Sequence, residues 1–218
     1  MAGVSPDGKS VIAQVRSIPG GNSVPVELMR VPLTGGSPEL IFSMPEWSSS
    51  NCARPPSTLC AVGEQTGDHK QMIITSFDPV KGRGTELARF DLSPEYQTNP
   101  NNSLLWSISP DGTRLVAAQG PEGPLQILTL RDHQIQVIRA TELIHMRILQ
   151  WTADGKGLIF SNVTNSGSEI FHVGLKGNAK VLWKSNSGNC YVLPSPDGRH
   201  LAIYDWKLSA NIWMMENF

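Results

Sequence analysis

Four aspartates of this chain occur in nearly the same short pattern, and acidic side chains of this kind can bind metal ions or transfer protons. The pattern is Ser-Pro-Asp-Gly at 5–8, 109–112 and 195–198, with Thr-Ala-Asp-Gly at 152–155. Proline presets its own φ, aspartate bonds the backbone two residues on, and glycine takes a positive φ. The pattern therefore predicts tight turns in which the following residues are structural: Asp7, Gly8, Asp111, Gly112, Asp154, Gly155, Asp197 and Gly198.

Other residues capable of chemistry do not form a known catalytic or metal-binding pattern. None of the five histidines (His69, His133, His145, His172 and His200) lies at ligand spacing from another histidine, a cysteine or an acid. The sequence lacks a Gly-x-Ser-x-Gly nucleophile motif and a glycine-rich loop that opens a helix. We therefore expect no catalytic residue, no metal site and no cofactor.

The three cysteines are too few for a disulfide scaffold. Cys52 and Cys60 flank a predicted turn symmetrically, so they could face each other across a hairpin and form a disulfide. Two reduced thiols fit the sequence equally well. Cys190 has no evident partner.

The turns recur at a regular interval, which indicates a repeat. Asp111, Asp154 and Asp197 follow one another at an interval of 43 residues, a length typical of four-stranded propeller blades. A variant turn at 53–58, without Asp-Gly, supplies the missing unit between Asp7 and Asp111. Strand-like segments surround each turn, and no segment convincingly predicts a helix.

We therefore predict an all-β fold, a β-propeller of about five four-stranded blade units in a single domain spanning 1–218. The approximate units are 1–47, 48–96, 97–145, 146–188 and 189–218. The terminal blades are expected to be incomplete, because the first unit has a short opening strand and the last ends after its third strand-like segment, 212–215. The chain could close as a ring of five or form part of a larger ring.

The repeated turn, the small apolar strand after it, the Ile-aromatic pairs at 170–171 and 212–213 and the Gly-Gly at 35–36 resemble the TolB-type, WD-repeat-like propellers of bacteria. The resemblance covers essentially the whole chain. It implies a sensor or interaction part at the C-terminal end of a longer bacterial protein. It leaves the attached domains and the location, cytoplasmic or extracytoplasmic, open.

The composition and charge of the chain argue against two classes of partner, nucleic acids and the membrane interior. The formal net charge is −1, whereas a nucleic-acid binder needs a basic excess, so we expect no nucleic-acid partner. No apolar run is long enough for a transmembrane helix, so no membrane insertion is expected. The first residues lack the basic and apolar regions of a signal peptide.

The face opposite the Pro-Asp-Gly turns is the predicted binding surface, because loops on a rigid scaffold commonly carry function. Our candidate binding residues there are Trp47, Asp68, His69, Tyr96, His145, Asp205 and Trp206. We expect a non-catalytic recognition or sensor module for a protein, peptide or small ligand. Two alternatives stay open: a hydrolase or lyase acting on sugars or lactones in the central channel, and a partial propeller that forms homo-oligomers through open blade edges.

Overall fold

The computed structural model describes residues 2–16, 25–45, 48–98, 105–120 and 122–206. Its strands form five antiparallel sheets, one for each predicted unit, and we number these sheets as blades 1 to 5 in chain order. The predicted all-β propeller is confirmed. The third strand-like segment of the last unit, at 212–215, lies outside the described residues.

Four of the sheets have four strands each, and consecutive strands are neighbours in each sheet. Blade 1 contains β1 (Ala2–Val4), β2 (Ser10–Arg16), β3 (Val26–Pro32) and β4 (Glu39–Met44). Blade 2 contains β5 (Ser49–Cys52), β6 (Cys60–Gln65), β7 (Gln71–Asp78) and β8 (Gly82–Asp91). Blade 3 contains β9 (Trp106–Ile108), β10 (Arg114–Ala118), β11 (Leu125–Thr129) and β12 (Ile135–Ile138).

Blade 4 contains β13 (Met146–Trp151), β14 (Gly157–Thr164), β15 (Gly167–Gly174) and β16 (Ala179–Ser185). The described part of blade 5 contains β17 (Asn189–Pro194) and β18 (Leu201–Trp206). In every blade the first strand is at the inner edge, since β1, β5, β9, β13 and β17 contact one another in succession.

Alternation along the strands explains why the sheets stack face to face. In β10, Leu115 and Ala117 pack in an apolar cluster with blade 2, whereas Val116 and Ala118 pack in a cluster with blade 4. Successive side chains of a strand point to opposite faces, so an apolar residue at every position can serve two neighbours. The apolar core therefore lies in the layers between blades.

The topology places the connections on two opposite faces. The turn between the first and second strands of a blade and the turn between its third and fourth strands lie on one face, which we call the turn face. The loops between second and third strands and the links between blades lie on the other, which we call the loop face.

One short helix departs from the sequence prediction. Helix α1 (Pro94–Thr98) lies in the link between β8 and β9, where no helix was predicted. A helix of five residues spans little more than one turn, so it leaves no periodic pattern that could be recognised in the sequence. In the described part of the chain, no helix has the length and apolarity needed to span a membrane.

Candidate binding face and channel

The turn aspartates are engaged by their own turns. The Oδ1 atom of Asp111 accepts hydrogen bonds from the Ser109 hydroxyl at 2.5 Å and from the Thr113 backbone N–H at 3.1 Å. Equivalent bonds form at Asp7, Asp154 and Asp197. The following glycines, Gly8, Gly112, Gly155 and Gly198, all have positive φ. This arrangement stabilises four hairpins, and each carboxylate accepts hydrogen bonds from a hydroxyl and a backbone N–H of its own turn.

The hydrogen bonds also alter the acidity of these groups. The Thr152 hydroxyl, followed by the Lys156 backbone N–H, holds the pKa of Asp154 below its ordinary value. The Ser5 hydroxyl and the Lys9 backbone N–H lower the pKa of Asp7 in the same way. Hydrogen bonds to the ionised form favour that form, so these carboxylates are charged in the folded protein.

The turns of successive blades also interlock. A Cβ atom at Gly112 would lie 2.1 Å from the Ser57 hydroxyl of blade 2, and one at Gly198 would lie 3.0 Å from Ala153 of blade 4. A Cβ atom at Gly155 would meet Arg114 of blade 3 at 3.3 Å. The missing side chain at each of these glycines therefore leaves room for a residue of the preceding blade. Gly8 has open space at this position.

Arg54, in the variant turn of blade 2, forms hydrogen bonds with the turns of both blade 3 and blade 5. Its backbone N–H donates to the carbonyl oxygen of Pro110 in blade 3 at 2.9 Å. Its guanidinium donates to the carbonyl oxygens of Pro194, Ser195 and Pro196 in blade 5 at 3.1, 3.3 and 3.2 Å. Burial lowers the pKa of Arg54, but an arginine remains charged.

Because Arg54 follows β5 and Pro194 ends β17, this contact joins the turn-face ends of two innermost strands. The Arg54 side chain thus crosses the channel at the turn face. Arg54 cannot be identified from the sequence, since an arginine in a variant turn carries no signal for a carbonyl partner about 140 residues away.

A disulfide lies directly beside Arg54. Cys52 in β5 pairs with Cys60 in β6, and the structure joins their sulfur atoms. The bond closes the loop that carries Arg54, so it anchors the variant turn to the neighbouring strand. Cys190 is a free, buried thiol whose pKa is raised by burial and by the nearby Asp205 carboxylate.

Asp68 and His69 lie on the loop face, between β6 and β7, in a turn that repeats the bonding of the Pro-Asp-Gly turns. The Oδ1 atom of Asp68 accepts from the Thr66 hydroxyl at 2.6 Å and the Lys70 backbone N–H at 3.1 Å. His69 takes the position of the turn glycine with a φ of 58°, and its Nδ1 lies 2.9 Å from Gln65 Oε1. The spacing Thr-x-Asp in the sequence is a signal that could have identified this turn.

His145 lies on the loop face at the start of the innermost strand of blade 4. It is exposed and has a φ of 47°. Two positions further on, Arg147 is skipped in the pairing of β13 with β14, where the register shifts between Met146 and Ile148. A β-bulge of this kind redirects a side chain, and Arg147 is exposed near the loop-face end of β13, the first strand of blade 4. Arg147 was not among the predicted site residues, because a bulge has no clear local sequence pattern.

Asp205 and Trp206 end β18, also at the loop face. The Asp205 carboxylate accepts a hydrogen bond from the Ser185 hydroxyl of blade 4 at 2.6 Å, and Trp206 is partly exposed. Trp47 lies outside the described residues. Tyr96 lies in helix α1, and only its backbone is described. The structure therefore places the described candidates on one face, but on different blades.

The described surface also has two shallow cavities on the turn face. One, of about 530 Å³, lies along blade 2 and is lined by residues that include Ser57, Asp78 and Arg83. The other, of about 520 Å³, lies between blades 4 and 5 and is lined by residues that include Asp154, His172 and Asp197. Among the described residues, no group of three or more histidine, cysteine, aspartate or glutamate side chains could hold a metal ion.

Solved structures with the same fold include bacterial TolB proteins. TolB from Acinetobacter baumannii is 19% identical, with a TM-score of 0.67 over 94% of this chain and 49% of that one. A protein assigned as TolB from Agrobacterium tumefaciens is 17% identical, with a TM-score of 0.65 over 94% and 69% of the two chains. This chain thus spans about half the length of the first protein.

A Bacteroides uniformis protein assigned as a 6-phosphogluconolactonase is also similar. It is 13% identical, with a TM-score of 0.58 over 94% of this chain and 63% of that one. No protein-family model matches the chain, and no curated protein matches it significantly. At these identities the likeness extends to the propeller fold alone.

Proposed function

We propose that this chain is a non-catalytic recognition module that binds a protein or peptide segment at the loop-face mouth of its channel. The observation that carries the proposal is the position of Arg54. Its guanidinium spans the turn-face end of the channel and is occupied by three backbone carbonyls. Because the Arg54 guanidinium occupies the turn-face end, the loop-face end is the favoured approach for a partner segment.

The loop-face mouth offers groups suited to a polypeptide. Arg147 projects from the bulged innermost strand and His145 is exposed beside it. A guanidinium can donate two parallel hydrogen bonds to a carboxylate, and it also donates to peptide carbonyls. Acidic segments or chain termini are accordingly the favoured partners.

The turn face is less suited to binding. Asp154 and Asp197, which line its cavity between blades 4 and 5, already accept hydrogen bonds from their own turns. Their role there is to hold the hairpins. The TolB-like fold supports a recognition module, whereas the lactonase-like neighbour keeps a catalytic channel as the competing hypothesis.

A displayed library of linear peptides, selected against the purified chain, tests the proposal. We expect the selected peptides to be rich in Asp and Glu, and Arg147→Glu to weaken their binding at least tenfold. The matched control is Lys176→Glu, the same charge reversal at an exposed position of the turn face, which should leave affinity unchanged.

Two results would contradict the proposal. One is peptide binding that is weakened equally by Lys176→Glu and Arg147→Glu. The other is turnover of a sugar lactone by the chain that is lost in Arg147→Glu, which would favour a catalytic channel instead.

A further inference from the structure

The turn that carries Arg54 differs from the corresponding turns of the other blades. We call the residues between the last ladder pair of a blade's first and second strands its first turn. The first turns of the other four blades have six residues each and contain Asp-Gly: 5–10, 109–114, 152–157 and 195–200. The first turn of blade 2, at 53–59, has seven residues and no acidic one. The carboxylate hydrogen bonds of the regular turns therefore have no counterpart in it.

A disulfide takes the place of an apolar pair at the base of this turn. Cys52 and Cys60 form the last ladder pair between β5 and β6. The equivalent pairs in the other blades are apolar: Val4–Val11, Ile108–Leu115, Trp151–Leu158 and Pro194–Leu201. Among the five first turns, all of which the structure describes, the covalent bond thus occurs at the turn without carboxylate hydrogen bonds.

The disulfide lies two positions from Arg54. The Arg54 backbone is held by its N–H, which donates to the Pro110 carbonyl at 2.9 Å, and by its carbonyl, which accepts from the Ser57 N–H at 3.0 Å. The side chain then crosses to the carbonyls at 194–196. Fixing an arginine side chain costs rotamer entropy. The contact with blade 5 therefore depends on a backbone that is itself held in place.

We propose that the redox state of the Cys52–Cys60 disulfide controls the contact of Arg54 with blade 5. In the oxidised protein the disulfide holds the first turn of blade 2 against β6, and Arg54 links blades 2 and 5. In the reduced protein this turn opens more often, and the link to blade 5 is lost each time it opens. Such local opening requires less free energy than unfolding of the whole chain.

The reductant that breaks this bond is a dithiol. Cys52 is partly exposed whereas Cys60 is buried, so a thiolate of the dithiol attacks Sγ of Cys52. The bond between the two cysteine sulfurs breaks, and Cys60 leaves with the electron pair and takes up a proton. The second thiol of the reductant then displaces Cys52 from the mixed disulfide. Both cysteines end as thiols, and the dithiol becomes a cyclic disulfide.

Amide hydrogen exchange, followed by NMR under native conditions, tests the proposal. The probes are the N–H groups of Ser195 and Gly198, which donate within the first turn of blade 5. The matched controls are Ser5 and Gly8, whose N–H groups make the same bonds in the Ser-Pro-Asp-Gly turn of blade 1. Dithiothreitol should accelerate exchange at the probes by about tenfold, the change in an opening equilibrium that corresponds to about one hydrogen bond. Exchange at the controls should not change, which also shows that the reduced chain stays folded.

Two variants show whether the effect passes through Arg54. In Arg54→Met, exchange at Ser195 and Gly198 should be equally fast with and without dithiothreitol, because the contact is already absent. Cys52→Ser/Cys60→Ser should exchange like the reduced wild type in both conditions. An unchanged rate at blade 5, an equal acceleration at blade 1, or a response that persists in Arg54→Met would overturn the proposal.

Discussion

Arg54 donates a hydrogen bond from its guanidinium to the carbonyl oxygen of Pro194 at 3.1 Å, although the two residues belong to blades 2 and 5. The same guanidinium also reaches the carbonyls of Ser195 and Pro196. The contact holds the last blade across the channel from the second. It gives the arc of blades a connection that does not run through neighbouring sheets.

Replacing Arg54 with Met should destabilise the protein by about 1–3 kcal/mol, because the carbonyl oxygens at 194–196 lose their donor. Urea unfolding measures the change, and hydrogen exchange of blade 5 should increase. The exposed Arg131, also on the turn face, supplies the control variant Arg131→Met. Equal stability of the two variants would mean that the Arg54 contact contributes nothing to holding blade 5.

Alanine at two turn glycines should separate backbone strain from packing between blades. Gly8→Ala and Gly112→Ala place alanine at nearly equal positive φ values, 69° and 72°, which costs about 1–2 kcal/mol at each site. Only Gly112→Ala also meets the Ser57 hydroxyl, which adds about 1–3 kcal/mol. Thermal unfolding should show the larger loss at Gly112, and equal losses would contradict the interlocking of the turns.

Gly63→Ala should destabilise the interface of blades 2 and 3. A Cβ atom at this position would lie 2.4 Å from Nε1 of Trp106, whose indole donates to the Ser49 hydroxyl at 2.6 Å. We expect a loss of about 1–3 kcal/mol from overpacking, measured by urea unfolding. Gly67→Ala, with open space at its Cβ, is the control and should be close to neutral; a neutral Gly63→Ala would contradict the close approach of the indole.

Acid should weaken the fold through the turn carboxylates. The pKa of Asp154 is lower in the folded chain than its ordinary value of 3.8, chiefly because of the Thr152 hydroxyl. The stabilisation is therefore present above pH 3.8 and is lost as the pH falls through the lowered folded value. Stability measured against pH should fall less steeply in Asp154→Asn than in the wild type; parallel curves would show that this carboxylate makes no pH-dependent contribution.

Reduction of the Cys52–Cys60 disulfide should lower stability. Opening this short loop increases the entropy of the unfolded chain, worth about 2–3 kcal/mol in the chain-entropy model. Thermal unfolding with and without dithiothreitol measures the effect. The double variant Cys52→Ser/Cys60→Ser is the control, because its midpoint should not respond to the reductant. The same response in both proteins would assign the effect to something other than this bond.

The repeat and its strands were predictable because the interactions that form them are local. Each Pro-Asp-Gly turn is held by hydrogen bonds that span no more than five residues, as between Ser109 and Arg114. Alternating apolar residues then define strands that can pack on both faces. Helix α1 was missed because it is too short for a periodic pattern.

For the candidate site, the sequence predicted only which face of the propeller carries it. Pairing of β1 to β2 and its equivalents determines which connections share a side, so Asp68, His145 and Asp205 could be assigned to the loop face from strand order. Their distances from one another could not be derived, since these depend on the arrangement of different blades.

The sequence by itself determined the number of strand-and-turn units, because turn chemistry and period-two alternation act within a few residues. Tertiary structure alone decided that the Arg54 side chain of blade 2 crosses the channel to the backbone carbonyls of blade 5. This contact depends on how twisted sheets stack around an axis, which brings together residues more than a hundred positions apart. No local pattern encodes that geometry.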